Sequence, residues 1–122
     1  MKKLFAFLML TGLLFSISLD ISAQDHTKII GSWSFNAPDA DQWYQTGTIV
    51  FTEDNSEIKG EVQFQDGYKV ELSDIVFKDG ELNFGLYIDY ERINVSMILE
   101  KNKLSGTVDY SDGTLDISAE QE

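Results

Sequence analysis

The sequence predicts an all-β protein: an antiparallel meander of about eight strands, closed or nearly closed into a barrel. Three features support this fold class. Apolar and polar residues alternate from Lys28 onward, Asp-Gly pairs separate the alternating stretches, and glycines occupy apolar positions inside two stretches. Alternation is the period of a strand with one buried face, and Asp-Gly between two such strands is a strong hairpin signal. Such short connections make neighbouring strands antiparallel.

The first 23 residues have the pattern of a secretory signal peptide. Lys2 and Lys3 form a basic start, an apolar run follows over residues 4–19, and Ala23 is the small residue after which we expect cleavage. The apolar run is shorter than the ~20 residues that a membrane-spanning helix needs. The expected product is one domain over residues 24–122, periplasmic or secreted from a Gram-negative bacterium and not held at the membrane after cleavage.

The alternation justifies the predicted strands in order, after a short helical turn around His26–Ile30. At Ser73-Asp74 the alternation slips by one residue, which predicts a bulge or a sharp corner. Asp66-Gly67, Asp79-Gly80 and Asp112-Gly113 are the predicted hairpin turns. The apolar positions expected to face inward are Trp33, Phe35, Ile49, Phe51, Ile58, Val62, Phe64, Tyr68, Val70, Leu72, Ile75, Phe77, Leu82, Phe84, Leu86, Ile88, Ile93, Val95, Met97, Leu99, Leu104, Val108, Tyr110, Leu115, Ile117 and Ala119.

An internal repeat supports closure of the sheet. Residues 58–67 and 104–113 share four identical positions of ten, among them Gly60 and Gly106 on the apolar face. A glycine inside a strand marks a bend or a close backbone approach. Sheets that curl into barrels need such points, and a closed barrel also removes exposed strand edges.

These residues resemble a known family. Gly31-Ser32-Trp33 after a short helical turn is similar to the opening of lipocalins and other calycin barrels. Residues 60–62, 80–84 and 103–108 are similar to the small lipocalin-like barrel domains of exported bacterial proteins. The resemblance implies a calycin-like barrel that carries small apolar ligands. Two departures are visible: the chain is short for a lipocalin, and residues 113–122 lack the basic residue that usually covers the tryptophan.

Composition excludes several function classes. The chain has 21 acidic and 9 basic residues, a net charge of −12, which disfavours nucleic acid and anionic membranes as partners. It contains no cysteine, so disulfides and thiolate chemistry are excluded. The single histidine, His26, lies near the expected mature start and is too poorly anchored to serve as a catalytic base. We therefore expect no enzyme, no catalytic residues and no cofactor.

Carboxylates could also act in pairs or bind a metal ion. The inward positions of the predicted strands are apolar or glycine, apart from tyrosine hydroxyls, so paired-carboxylate catalysis is not expected. Asp39 and Asp41 share one loop, and Asp109, Asp112 and Asp116 surround another turn, but neither group has EF-hand spacing. A solvated acidic surface is the preferred interpretation, and no metal site is predicted.

The loop over residues 36–46 is the most informative irregular segment, since it holds the single proline and the adjacent Trp43 and Tyr44. In barrels such loops surround the ligand entrance. The two aromatic residues could form a lid, or Trp43 could cap the barrel end while Tyr44 starts the next strand; the second interpretation is preferred. The predicted ligand-binding residues are Trp33, Phe35, Trp43, Tyr44, Phe64 and Phe84.

Two functions remain open. The first is an exported, non-catalytic binding module, monomeric or weakly dimeric, for a small apolar ligand. The alternative is a barrel with a fully packed core that acts as a protein-interaction or envelope module through its acidic face. The two differ in whether the barrel interior is open or filled, because an eight-stranded interior is narrow enough for side chains to fill it.

Overall fold

The computed structural model describes residues 26–122, so the predicted signal peptide, residues 1–23, lies outside the described residues. His26 and Thr27 are helical, and nine strands follow. Their bounds are β1 Gly31–Asn36, β2 Thr46–Asp54, β3 Glu57–Phe64, β4 Lys69–Glu71, β5 Ser73–Lys78, β6 Glu81–Ile88, β7 Glu91–Glu100, β8 Lys103–Tyr110 and β9 Gly113–Gln121, with a 3-10 helix at Gln42–Tyr44. No helix among the described residues is long and apolar enough to cross a membrane.

The strands form one antiparallel sheet in the order β4-β3-β2-β1-β9-β8-β7-β6-β5. The pairing of β1 with β9 curls the sheet into a barrel, and one seam between β4 and β5 is not closed by a strand ladder. Across this seam β3 contacts β5 and β4 contacts β6. The fold class predicted from the alternation is therefore confirmed, as a nearly closed barrel.

The ninth strand arises at the predicted slip in alternation. Only Leu72 separates β4 from β5, which is too short for a reversal of direction, so the chain turns a corner and continues the same way. Asp74 has a φ of +54°, and the pairing of β5 with β6 shifts register between Ser73 and Val76. The expected count of about eight strands treated this stretch as one strand. It forms two short strands instead, β4 paired with β3 and β5 paired with β6.

The strand directions assign each connection to one end of the barrel. We call the end formed by residues 37–45, 65–68, 89–90 and 111–112 the open end. The other end, formed by residues 26–30, 55–56, 79–80 and 101–102, is the closed end. The two ends differ in their connections and, as shown below, in how the interior is filled.

Large side chains fill the closed end. Most of the largest fully buried side chains lie there, namely Trp33, Phe51, Ile29, Leu82, Met97 and Leu104. The indole Nε1 of Trp33 donates a hydrogen bond to the carbonyl oxygen of Ile29 at 2.9 Å, so the segment before β1 covers the tryptophan.

An arginine on the outer surface braces the edge strand β5. The Arg92 side chain lies against Gly85 of β6, where an added Cβ would overlap the guanidinium. It donates hydrogen bonds to Ser73 Oγ at 3.1 Å and to Asp74 Oδ2 at 3.0 Å, both on β5. The hydrogen bond to Asp74 raises the pKa of Arg92 above its usual range. The contact ties β7 to β5 across β6 beside the open seam.

Candidate ligand cavity

The interior of the barrel is hollow toward the open end. A cavity of about 350 Å³ extends inward from the connections there. Its inner surface is contributed by strands from around the barrel, and apolar side chains dominate it: Phe35, Ile49, Val62, Phe64, Phe84, Leu86, Ile88, Ile93, Val95, Val108, Leu115 and Ile117. Alternation places these residues inward, and β-branched and aromatic types suit a half-buried strand.

Four of the six predicted ligand-binding residues lie in the cavity wall: Phe35, Phe64, Phe84 and Tyr44. The Phe64 ring connects them, with edge-on contacts to Phe35 and Tyr44 at centroid distances of 5.9 and 5.0 Å. Phe64 also stacks on Tyr68, with the ring centroids 6.1 Å apart. Offset and edge-on aromatic pairs hold one another in place, so this wall of the cavity is preformed.

Trp33 does not line the cavity, contrary to its predicted role in ligand binding. Its side chain is fully buried in the closed end and its polar nitrogen is bonded to Ile29. The alternation correctly placed Trp33 inside the barrel. It could not show that the interior is divided along its length, which depends on how far each strand extends.

Trp43 also lies outside the cavity, and its side chain is 61% exposed. It neither closes the cavity nor caps the barrel end, because the 3-10 helix turns it toward solvent while its neighbour Tyr44 faces Phe64. Tyr44 does not start the next strand, since β2 begins at Thr46. Gln45 Nε2 fixes the loop by donating to the carbonyl of Ala40 at 3.0 Å.

An acidic rim, which the alternation pattern did not predict, surrounds the entrance. It consists of Asp39, Asp41, Asp89, Glu91 and Asp112, and no basic residue lines the cavity. Glu91 shares the inward parity of Ile93 and Val95 on β7, so the expectation that inward positions carry no carboxylate is wrong there. Counting the alternation back from Ile93 would have identified it. Its Oε2 accepts a hydrogen bond from the backbone N–H of Ser111 at 2.8 Å.

The negative charge of this rim affects the pKa of Tyr44. Partial burial raises the pKa of its phenol, and the negative potential of Asp89 adds to the effect, followed by contributions from Tyr68, Asp41 and Asp66. Both causes disfavour a phenolate. Tyr44 is therefore a neutral aromatic group placed where the apolar interior meets the carboxylates.

The cavity interior and its entrance differ in chemical character. Within residues 26–122 the buried core contains no polar or charged residue. No three acidic or histidine side chains in that range converge closely enough to hold a metal ion, and this includes the two aspartate groups weighed above. The site can offer apolar contact inside, aromatic faces and hydroxyls at the entrance, and negative charge around it.

Comparison with known proteins identifies solved structures of similar fold. No protein-family model matches the chain, and no curated protein does. Among solved structures, a redesigned β-barrel named mFAP1, bound to DFHBI, superposes with a TM-score of 0.54 at 14% identity, covering 80% of this chain and 98% of that chain. A second redesigned β-barrel gives 0.53 at 14% identity, with coverage of 80% and 94%.

A third match, a mutant of the fluorescent protein UnaG, gives a TM-score of 0.52 at 13% identity, covering 77% of this chain and 96% of that chain. Sequence identities this low show a shared fold and nothing about ligands. Together with the strand order and the single seam, the matches confirm that the chain folds as a calycin-like β-barrel.

Proposed function

We propose that this protein is an exported, non-catalytic binding module that holds a small apolar ligand in the open-end cavity. One observation carries the proposal: an apolar cavity of about 350 Å³ opens at one end of an otherwise packed barrel. This volume lies within the range of roughly 300–1,000 Å³ found for small-molecule sites. The mFAP1 barrel of similar fold is bound to DFHBI, so a barrel of this shape is able to bind a small molecule.

The cavity size indicates how large the ligand is. If a methylene needs about the 30 Å³ that a water molecule takes in the liquid, the cavity holds roughly a dozen such groups. Burial contributes about 0.8 kcal/mol per methylene before the cost of association, so a ten-carbon chain can reach micromolar affinity. A ten-carbon compound is therefore a suitable test ligand.

The first test uses a neutral fluorescent probe, N-phenyl-1-naphthylamine, displaced by decanol. Ile93→Phe and Ile98→Phe form a matched pair on β7, since Ile93 lines the cavity while Ile98 is 56% exposed on the outer face. We expect Ile93→Phe to fill the cavity and weaken probe binding by about tenfold or more, the equivalent of losing two methylene contacts. Ile98→Phe should bind like the parent. Absence of probe and decanol binding at high micromolar concentration overturns the proposal.

A protein-interaction or envelope module remains the second candidate, and the exposed aromatic side chains Trp43, Tyr68 and Tyr90 at the open end favour it. Trp43→Ala separates the two functions. It should leave probe affinity unchanged, because Trp43 is outside the cavity, whereas truncating an aromatic residue central to a protein interface typically costs about 2 kcal/mol or more of binding.

Export is tested independently of ligand binding. The basic start, apolar run and Ala23 support removal of residues 1–23. The intact mass of the protein recovered from the periplasm or medium should correspond to residues 24–122. A mass that retains the first 23 residues contradicts cleavage, and recovery from the cytoplasm alone contradicts export.

A further inference from the structure

We propose that the cavity selects cationic amphiphiles, molecules with an apolar body of about ten carbons and an ammonium head group, over neutral or anionic ones. This inference rests on the proposed function, since the apolar body occupies the same cavity. What selects the charge is the entrance: acidic side chains and two tyrosines line it together.

The charge asymmetry is built into the open-end connections. Residues 37–45, 65–68, 89–90 and 111–112 contain five aspartates and no lysine, arginine or histidine. Four of these aspartates line the cavity, and Glu91 joins them from the start of β7. Five carboxylates around an apolar opening produce a negative potential there, which such a low-dielectric wall concentrates.

Three basic residues pair with carboxylates outside the cavity. Arg92 points outward and pairs with Asp74 at 3.0 Å. Lys59 pairs with Glu57 at 3.4 Å, and Lys103 pairs with Glu120 at 3.3 Å, both toward the closed end. None of these cations lines the cavity, so none of them is placed there to receive the carboxylate of a fatty acid.

Two aromatic rings accompany the carboxylates. Tyr44 comes from the 3-10 helix and Tyr110 from the end of β8, and both line the cavity. A cation over an aromatic face gains attraction from the ring quadrupole, and quaternary ammonium groups are recognised in this way. Carboxylates further away add long-range attraction without needing contact. Since no three acidic groups among residues 26–122 converge on one point, an extended organic cation fits the rim better than a metal ion.

The test compares three ligands of equal chain length: decyltrimethylammonium, decanol and decanoate, each displacing the neutral naphthylamine probe. We expect the ammonium compound to bind about tenfold or more tightly than decanoate, with decanol between them. Raising the ionic strength from about 0.05 to 0.5 M should weaken binding of the ammonium compound and leave decanol unchanged, because salt screens only the charged interaction.

A pair of double variants locates the effect. Asp89→Asn with Asp112→Asn removes two rim charges, and Asp54→Asn with Asp79→Asn removes two charges at the closed end. The pairs are matched, because Asp89 and Asp79 both open two-residue turns with positive φ, +51° and +53°, where asparagine is tolerated. The rim pair should weaken decyltrimethylammonium binding roughly fivefold to tenfold and leave decanol affinity as it is. The closed-end pair should bind all three ligands like the parent.

The outcomes separate the two proposals. If decanol binds but the three ligands have equal affinity, or decanoate binds best, the charge selection is overturned and the apolar cavity stands. If both double variants weaken ammonium binding equally, net charge and not the rim is responsible, which also overturns it. If neither the probe nor any of the three ligands binds at high micromolar concentration, the proposed function itself fails.

Discussion

Tyr44 lies where the apolar wall of the cavity meets its acidic rim. Its ring packs edge-on against Phe64 at 5.0 Å, and its phenol lies near the carboxylates of the rim. Burial together with the nearby negative charge raises the phenol pKa, as for any acid whose anion is poorly solvated and repelled. The neighbouring Trp43 is exposed to solvent, although the two residues look equivalent in the sequence.

Because the pKa of Tyr44 is higher in the folded protein than in the unfolded chain, the stability of the protein depends on pH in the alkaline range. Below pH 10, the usual value for the phenol, Tyr44 is protonated in both states and its contribution is fully present. As the pH rises through the higher folded-state value, the unfolded chain loses its proton first and stability falls. Urea midpoints measured between about pH 9 and 11 should therefore fall less steeply in Tyr44→Phe than in the parent.

Tyr90→Phe is the control, because Tyr90 is fully exposed in the turn between β6 and β7. It should retain the parental fall in the midpoint with rising pH. If Tyr44→Phe and Tyr90→Phe behave alike, Tyr44 does not experience the desolvation and negative potential described above.

Among the strands, the two repeated glycines play different roles. Gly60 on β3 faces the ends of side chains: an added Cβ would lie 2.7 Å from Leu72 Cδ1 and 3.1 Å from Phe51 Cδ1. Gly106 on β8 faces the backbone of β7: an added Cβ would overlap the carbonyl oxygen of Ser96 and lie 2.7 Å from the Cα of Met97. Side-chain ends can rotate away, whereas a paired strand cannot move without breaking its ladder.

Alanine substitution distinguishes these two environments. Gly106→Ala should destabilise the protein by about 2–3 kcal/mol, at the upper end of overpacking costs, because β7 and β8 must separate. Gly60→Ala should cost less than about 1 kcal/mol, since Leu72 can adjust and alanine loses less chain entropy than glycine on folding. Urea unfolding at neutral pH measures both, and equal midpoints would contradict the close approach at Gly106.

At the scale of the whole molecule, the barrel is divided into a packed half and a hollow half. The closed end holds most of the fully buried large side chains, and the open end holds the cavity. Filled interior contributes packing and hydrophobic stability, while hollow interior leaves its lining side chains without contacts on one side. The closed-end parts of the strands therefore contribute most of the packing, and the open-end parts of the same strands line the cavity.

Two leucines on β6 test this division. Leu82 is fully buried in the closed end, and Leu86 lines the cavity. Leu82→Ala should cost about 3–5 kcal/mol, because it opens a new void among packed neighbours. Leu86→Ala should cost about 1–2 kcal/mol less, since one side of Leu86 already faces empty space. The comparison uses free energies of unfolding in urea, and an equal cost at both positions would indicate a uniformly packed interior.

Much of the fold was predictable because its determinants are local. A strand with one buried face needs alternation at a period of two, and a two-residue hairpin needs residues that accept positive φ, as Asp79 and Gly80 do at +53° and +79°. The inward positions of Phe35, Phe64 and Phe84 follow from the same alternation. These features depend on neighbours in the chain, so the sequence alone determined the antiparallel barrel and most of its apolar wall.

The cavity and its acidic rim were decided by the tertiary structure. Whether Trp33 or Phe84 faces empty space depends on residues from distant strands meeting across the barrel. Which connections share an end depends on the corner at Leu72: a reversal there would have exchanged the ends for every later turn and separated Asp89 and Asp112 from Asp39 and Asp41. A corner and a hairpin produce the same break in alternation, because alternation records which face a side chain occupies and not the direction in which the strand runs.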